Sequence, residues 1–193
     1  MKSAFNYLVI VCGIVAGLNT VYSQWAQTNG PTGGSINCMA VSGSNIYAGT
    51  RGGIFLSTNN GTNWTPITNV GTSVKVKSFA VSGTTVYAGT MGGGVFRTTN
   101  NGTDWTPVNS GLNTSDVSAL TVSGTDILAG TRGAGVFVST NSGISWTRFQ
   151  NSWNSVISSL AVSGANLFIG TGGGLFLSTD NGTNWTVIND GLI

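Results

Sequence analysis

Short apolar stretches alternate with polar, glycine-rich turns along most of this chain. Four of the stretches read INCMAVSG, VKSFAVSG, VSALTVSG and ISSLAVSG, and each has a bulky residue followed two positions later by Val. Because alternate residues of a strand point to opposite faces, each stretch predicts a strand with one bulky face and one small face. The bulky pairs are Met39 and Val41, Phe79 and Val81, Leu120 and Val122, and Leu160 and Val162. Such strands suit stacked sheets, in which a bulky face packs onto the small face of the neighbouring sheet.

Three further strand patterns follow in every unit. In the first unit they are NIYAGT, GIFLST and WTPIT, and similar letters recur in the others. The Trp residues that open the last pattern, at 64, 105, 146 and 185, give spacings of 41, 41 and 39 residues. Periods near 40 with four short strands are typical of β-propeller blades, and a β-solenoid is the alternative. The sequence therefore predicts an all-β propeller of four-stranded antiparallel blades.

The repeats divide the chain into an outer strand and four units. The units span about 36–70, 76–111, 117–151 and 157–190, and QWAQTNG at 24–30 matches the end of a fourth strand. An isolated outer strand followed by four complete units leaves sheet edges open, and four blades are the low end for a propeller. We expect an incomplete or open ring, either a fragment of a longer propeller or a half-ring that pairs with a copy of itself.

An eight-residue motif, Ser/Thr-x-Asp/Asn-x-Gly-x-x-Trp, precedes each fourth strand; we call it the turn motif. Its Asn or Asp is expected to accept a hydrogen bond from a backbone N–H two residues on, and its Gly to adopt a positive φ. Its Trp is expected to bury its ring and anchor the fourth strand. The sixteen residues are Ser57, Asn59, Gly61, Trp64, Thr98, Asn100, Gly102, Trp105, Ser139, Asn141, Gly143, Trp146, Ser178, Asp180, Gly182 and Trp185.

The turn motif resembles the Asp box, or BNR repeat, of sialidase-like propellers, and the resemblance covers all four units. Families with this repeat include sialidases, sortilin-type receptors, xyloglucanases and photosystem II assembly factors, so it implies an architecture and a scaffold role for the motif. Three of the four motifs carry Asn where the resemblance leads one to expect Asp. Asn keeps the acceptor oxygen, whereas an ionic role becomes less plausible.

Composition argues against catalysis and against polyanion binding. Only 6% of the residues are charged, and the chain has neither His nor Glu. Without runs of basic residues there is little to attract nucleic acid or anionic lipid. Nucleophilic triads need a base that is missing, and the five scattered Asp residues form no evident pair of the kind that glycosidases use. We predict no catalytic residues, no metal site and no cofactor.

The first residues have the features of a secretory signal. Lys2 precedes an apolar run from Ala4 to Leu18, and small residues precede Gln24, so residues 1–23 are predicted to be removed. The run is shorter than a membrane span requires, and no span is expected after cleavage. Cys38 is the single cysteine of the remaining chain and is expected to be a buried small residue. We expect a secreted, periplasmic or surface protein of bacterial origin.

Loop order places the candidate binding residues at the end of the propeller opposite the turn motifs. Arg51, Met91 and Arg132 occupy equivalent turns there, and Trp153 lies in a link between units. An exposed aromatic ring beside Arg suits a sugar or a peptide. The chain is thus predicted to be a non-catalytic binding, adhesion or scaffold module for a glycan or a protein at the cell surface. The alternatives are the propeller part of a sialidase-like glycoside hydrolase whose catalytic residues lie elsewhere, and an assembly factor similar to the photosystem II type.

Overall fold

The computed structural model describes residues 30–31, 35–71, 74–149 and 155–191. Within these ranges the chain forms sixteen β-strands in four sheets of four, and it forms no helix. Each sheet is one repeat unit, and we number the sheets as blades 1 to 4 in chain order. The predicted signal at 1–23 and most of the predicted outer strand at 24–30 lie outside the described residues.

The strands of each blade follow one another directly along the chain. Blade 1 contains β1 (Ile36–Ser42), β2 (Asn45–Thr50), β3 (Gly53–Ser57) and β4 (Thr65–Ile67). Blade 2 contains β5 (Lys75–Ser82), β6 (Thr85–Met91), β7 (Gly94–Thr98) and β8 (Thr106–Pro107). Blade 3 contains β9 (Val117–Ser123), β10 (Asp126–Thr131), β11 (Val136–Ser139) and β12 (Thr147–Arg148). Blade 4 contains β13 (Ile157–Ser163), β14 (Asn166–Thr171), β15 (Gly174–Ser178) and β16 (Thr186–Val187).

Every blade is an antiparallel meander, with neighbouring strands paired in chain order. The first hairpin turns on two residues in each blade, and the first of them is a Gly with φ of 59–60°. A type II′ hairpin turn needs a positive φ at that position, and Gly adopts it without steric cost. These short strands and tight turns confirm the predicted four-stranded propeller blades.

Neighbouring blades pack through their first strands, so that β5 contacts β1 on one side and β9 on the other. At Gly89 of blade 2, an added Cβ would lie 2.9 Å from Cγ1 of Val117 and 3.1 Å from Cγ of Leu120 in blade 3. Only a residue without a side chain leaves room for the bulky face of the next blade. Tyr47 and Tyr87, predicted as core residues, are 0% and 1% exposed at the seams between blades.

The outer faces of blades 1 and 4 are left open. Met39 and Val41 on the bulky face of blade 1 are 57% and 62% exposed, whereas the equivalent Leu120 of blade 3 is buried. On blade 4, the small residues Ser159 and Ala161 are exposed. The described residues therefore form an open, unclosed arrangement of four blades, as the repeat count predicts.

Each first strand carries a β-bulge near its beginning, which strict alternation along the sequence does not predict. In blade 2 the pairing passes from Val76 with Thr90 to Ser78 with Gly89, so that Lys77 is the extra residue. The equivalent extra residues of the other blades are Asn37, Ser118 and Ser158. The bulge lets the preceding apolar residue enter the seam between blades, where Val76 is fully buried.

Candidate functional site

The turn motif is closed by hydrogen bonds among its own residues. In blade 1, Ser57 Oγ accepts a hydrogen bond from the N–H of Gly61 at 2.9 Å and donates one to Asn59 Oδ1 at 3.0 Å. Asn59 Oδ1 also accepts from the N–H of Asn63 at 2.9 Å. The same three bonds recur in blades 2, 3 and 4.

The expectation that this Asn or Asp bonds a backbone N–H two residues on is wrong. The acceptor oxygen instead reaches the N–H four residues on, because two successive residues turn the chain back towards it. Asn60 has φ of 54° and Gly61 has φ of 82°, and both values lie in the left-handed region. Gly61 therefore has the predicted positive φ, and the Asn before it shares the turn.

In blades 2, 3 and 4 the Trp of the turn motif packs against the preceding blade. In every blade it lies one residue before the fourth strand rather than inside it. The side chains of Trp105 and Trp146 are each 4% exposed. The Trp105 ring meets Tyr47 of blade 1 edge-on at a centroid distance of 6.0 Å, and Trp146 Nε1 donates to the carbonyl of Val108 in blade 2 at 2.7 Å. The motif thus joins one blade to the next.

The loops sort into two faces, as the strand order predicts. The lower face holds the first hairpins and the turn motifs, where Asn45 Nδ2 donates to the carbonyl of Asn101 at 3.4 Å. The upper face holds the other turns and the links between blades. Two bridges join them there, between Met91 and Asp116 and between Arg132 and Val156.

A cleft of about 280 Å³ opens on the upper face where blades 2, 3 and 4 meet; we call it the upper cleft. It is lined by Lys77, Met91, Ser118, Arg132, Val156 and Ser158. Three of these residues are the bulge residues of β5, β9 and β13, which the bulges displace from the regular strand pairing. β-Bulges commonly redirect side chains beside functional sites.

The charges in the upper cleft are positive. Lys77 and Arg132 are both exposed, and no acidic residue belongs to the lining. The nearby Asp116 carboxylate accepts a hydrogen bond from the N–H of Gly92 at 3.0 Å. Ser118 Oγ donates to the carbonyls of Gly130 and Ile157, so its hydroxyl holds blades 3 and 4 together. The two cations are therefore the groups that can contact an anionic ligand.

The predicted binding residues have different positions in the structure. Met91 and Arg132 line the upper cleft together, whereas Arg51 is exposed on the equivalent turn of blade 1 and does not line it. Trp153 lies outside the described residues.

Sequence reasoning missed Lys77, although the sequence holds a signal. Val76 and Phe79 both face the neighbouring blade but lie three positions apart, and that spacing indicates a bulge.

The described residues contain no cluster of three or more His, Cys, Asp and Glu side chains that could hold a metal ion. They also contain no helix of the length and apolarity that a membrane crossing requires.

Cys38 is half-buried rather than fully buried, and burial raises the pKa of its thiol to about 12. At neutral pH it is therefore a protonated, weakly reactive side chain.

Comparison with protein families identifies the repeats. The model of the DUF6242 beta-propeller domain matches residues 14–123 and again residues 60–156. The chain belongs to this family. The overlapping matches are expected of a DUF6242 propeller, because a repeat can align with its neighbours one or more blades along. A search of curated proteins gives no match.

This DUF6242 propeller is similar to propellers of solved structure. One is YCF48 bound to D1 peptide, with 15% identity, a TM-score of 0.59, and coverage of 81% of this chain and 69% of YCF48. Another is the extracellular domain of BT4673 from B. thetaiotaomicron, with 22% identity, a TM-score of 0.71, and coverage of 86% and 23%. A third is the GH74 enzyme of Niastella koreensis, with 21% identity, a TM-score of 0.65, and coverage of 81% and 30%.

At these identities the likeness shows the fold alone. The DUF6242 propeller described here spans less than a third of the BT4673 domain and of the GH74 enzyme. The three proteins also differ in what their names describe: a protein in complex with a peptide, an extracellular domain and an enzyme. Function therefore has to be argued from the site of this chain.

Proposed function

We propose that the chain is an exported, non-catalytic propeller of the Asp-box type that binds an acidic segment of a partner protein in its upper cleft. The observation that carries this proposal is the placement of Lys77 and Arg132 in one cleft whose lining has no acid. Low-dielectric walls around like charges raise the local concentration of oppositely charged ligands.

The chemistry of the lining favours carboxylates. An Arg guanidinium can hold a carboxylate through two parallel hydrogen bonds, and a Lys ammonium adds a point charge beside it. Met91 and Val156 supply apolar contact for the stems of Asp or Glu side chains. The similar propeller YCF48 has been solved bound to the D1 peptide, which supports a polypeptide ligand for this chain.

Two features support the Asp-box and export parts of the proposal. The turn motif has the same hydrogen bonds in all four blades, although three of them carry Asn. Lys2 and the apolar run from Ala4 to Leu18 have the pattern of a secretory signal.

The distribution of acids supports a non-catalytic role. Asp104 and Asp180 lie in the turn motifs of blades 2 and 4, Asp116 lies in a link on the upper face, Asp126 begins β10, and Asp190 follows β16. A glycosidase of the usual kind needs two carboxyl groups about 5–10 Å apart on either side of the scissile bond. Acids distributed over different blades and both faces do not favour that arrangement.

Titration calorimetry with a hexaglutamate peptide tests the proposal. We expect wild-type protein to bind the peptide and the variant Lys77→Gln/Arg132→Gln to bind it at least about tenfold more weakly, because two charge-assisted contacts are lost. The variant Arg97→Gln/Arg148→Gln removes the same net charge outside the cleft and should bind about as well as wild type.

Two results would refute this function. Equal weakening by both double variants would mean that binding follows net charge rather than the upper cleft. Preference for oligogalacturonate over hexaglutamate, with the same dependence on Lys77 and Arg132, would replace the protein partner with an acidic glycan.

A further inference from the structure

The three seams between blades differ in one core residue on the lower face. Tyr47, Tyr87 and Leu128 occupy the same position of the second strand in blades 1, 2 and 3, where they pair with Leu56, Arg97 and Val138. An added Cβ at Gly102 would lie 2.8 Å from Tyr47 Cε1, and one at Gly143 would lie 3.2 Å from Tyr87 Cε1. A phenol ring therefore covers the glycine of the next turn motif in the first two seams.

In the third seam Leu128 is too short to reach the equivalent Gly182. The ring of Phe149 approaches that glycine instead, with Cε2 and Cζ 2.8 Å from an added Cβ. Phe149 takes the place that the smaller Val108 has in blade 2, so it partly compensates for the missing tyrosine. The compensation is incomplete, because Trp185 is half-buried whereas Trp105 and Trp146 are 4% exposed.

A cleft of about 500 Å³ remains between blades 3 and 4, and we call it the lower cleft. Leu128, Val138, Phe149 and Leu167 supply apolar lining, and Asp126 and Asn181 supply polar groups. Its walls are formed by the first hairpins of the two blades and by the turn motif of blade 4. The space is large enough for an aromatic side chain together with its own backbone.

Asp126 and Asn181 of the lower cleft occupy positions whose equivalents in the other seams lie beside a tyrosine hydroxyl. Burial raises the pKa of Tyr47 and of Tyr87, and the side chains of Asn45 and Ser142 beside the two hydroxyls oppose that rise. Asn45 begins β2 as Asp126 begins β10, and Ser142 occupies the turn position of Asn181. The Tyr47 hydroxyl itself is buried without a hydrogen bond of normal geometry.

We propose that the lower cleft binds the phenol ring of a tyrosine side chain presented by a polypeptide. The ring takes the place that Tyr47 and Tyr87 fill from within the chain at the other two seams, and it packs between Leu128 and Phe149. The phenolic hydroxyl donates a hydrogen bond to the carboxylate of Asp126, whereas the other two seams have the neutral side chains of Asn45 and Thr85 at this position.

N-acetyltyrosinamide is the probe that tests the lower cleft, with the indole N–H resonance of Trp185 as the readout in proton–nitrogen correlation spectra. We expect a saturable shift of that resonance, and about tenfold weaker binding of N-acetylphenylalaninamide, because the phenyl ring cannot donate to the carboxylate. Asp126→Ala should bring the two affinities to within about twofold of each other. No saturable shift with wild-type protein would overturn the proposal.

Two variants fill the lower cleft from inside. Leu128→Tyr restores the tyrosine of the other seams, and Leu128→Tyr/Phe149→Val recreates the Tyr87 and Val108 pair in case the single change overpacks the site. We expect the folded variant to lose binding of the probe at least about tenfold. Phe168→Tyr makes the equivalent change on blade 4, outside the lining, and should bind as wild type does.

Retention of full affinity by a folded Leu128→Tyr/Phe149→Val variant would show that the probe binds elsewhere. The proposal does not depend on the upper cleft, so Lys77→Gln/Arg132→Gln should bind N-acetyltyrosinamide normally. Loss of probe binding in that variant would contradict the assignment to the lower cleft.

Discussion

Ser57, Thr98, Ser139 and Ser178 are each 1% exposed, and each hydroxyl is bonded to at least two groups of its own turn motif. The next polar position holds Asn in three blades and Asp in the fourth. Both residues supply an oxygen that accepts from the same N–H, which explains why the motif tolerates either one. Whether the side chain is a neutral amide or a charged carboxylate therefore matters less than the position of its acceptor oxygen.

Asp180 is the one carboxylate at that position, and its pKa should be measurably low. Hydrogen bonds from the backbone and side chain of Asn184 and from Ser178 lower the pKa of Asp180 from 3.8 to about 2. Because the folded value lies below the unfolded one, the stabilisation from this group is complete above pH 3.8 and is lost as the pH falls through about 2.

A titration of the Asp180 side-chain carboxyl resonance checks this shift. We expect a midpoint near pH 2, and we expect Asp180→Asn to fold normally, since the other blades carry Asn, while losing that contribution to acid sensitivity. A midpoint at the ordinary value would mean that the bonds from Asn184 do not persist in solution.

Replacing Trp105 of blade 2 by Ala should destabilise the protein more than replacing Trp64 of blade 1. Its ring is buried against Tyr47 and Phe79, so Trp105→Ala is expected to lower the free energy of unfolding by about 3–5 kcal/mol. Trp64 is half-buried in the first blade, and Trp64→Ala should cost less than half as much. Urea denaturation measures both losses. A loss below about 1 kcal/mol for Trp105→Ala would contradict a scaffold role.

At the scale of the elements, the sequence is sufficient to predict the strands but not the bulge and the side-chain packing that form the two clefts. Periodic Val, Gly and Trp positions predict the strand order, the stacking of bulky on small faces and the sorting of loops. The bulge at Lys77 depends on how strand pairing accommodates an extra residue. Regular alternation does not predict it, and the spacing of Val76 and Phe79 is the sequence signal that indicates it. The lower cleft depends on Leu128 and Phe149 together, and these residues meet only after the blade has folded.

The stacking of blades predicts a strong effect of side chains at the seam glycines. Gly89→Val should lower the thermal midpoint clearly, at a cost of about 1–3 kcal/mol or more, because its methyl groups meet Val117 and Leu120. Gly52→Val is the matched control, since an added Cβ there meets nothing closer than 3.8 Å. Equal midpoints for the two variants would contradict close packing of blade 2 on blade 3.

At the scale of the molecule, the open ends of the blade stack are complementary. Blade 1 exposes Met39 and Val41 on its bulky face, and blade 4 exposes Ser159 and Ala161 on its small face. In the inner seams the equivalent bulky and small faces pack against each other. The bulky face of one copy can therefore pack on the small face of another in a head-to-tail contact. Such contacts form a closed ring only if the rotation between successive copies adds up to a full turn.

We therefore expect the chain to self-associate through these two faces. Analytical ultracentrifugation should give a mass that rises with concentration for wild-type protein, and the monomer mass for Met39→Glu/Val41→Glu. Exposed apolar faces of this kind usually mark contact sites. A wild-type chain that stays monomeric at high concentration would argue against pairing of two open rings.

The central claim is that the turn motifs are scaffold and that the acidic segment of the partner binds in the upper cleft, on the opposite face. Backbone amide shifts during a titration with hexaglutamate test this claim most directly. We predict that the largest shifts map to Lys77, Met91, Ser118, Arg132 and Ser158, with little change at Asn59, Asn100, Asn141 and Asp180. Shifts concentrated on the turn motifs, with the upper cleft unchanged, would contradict it.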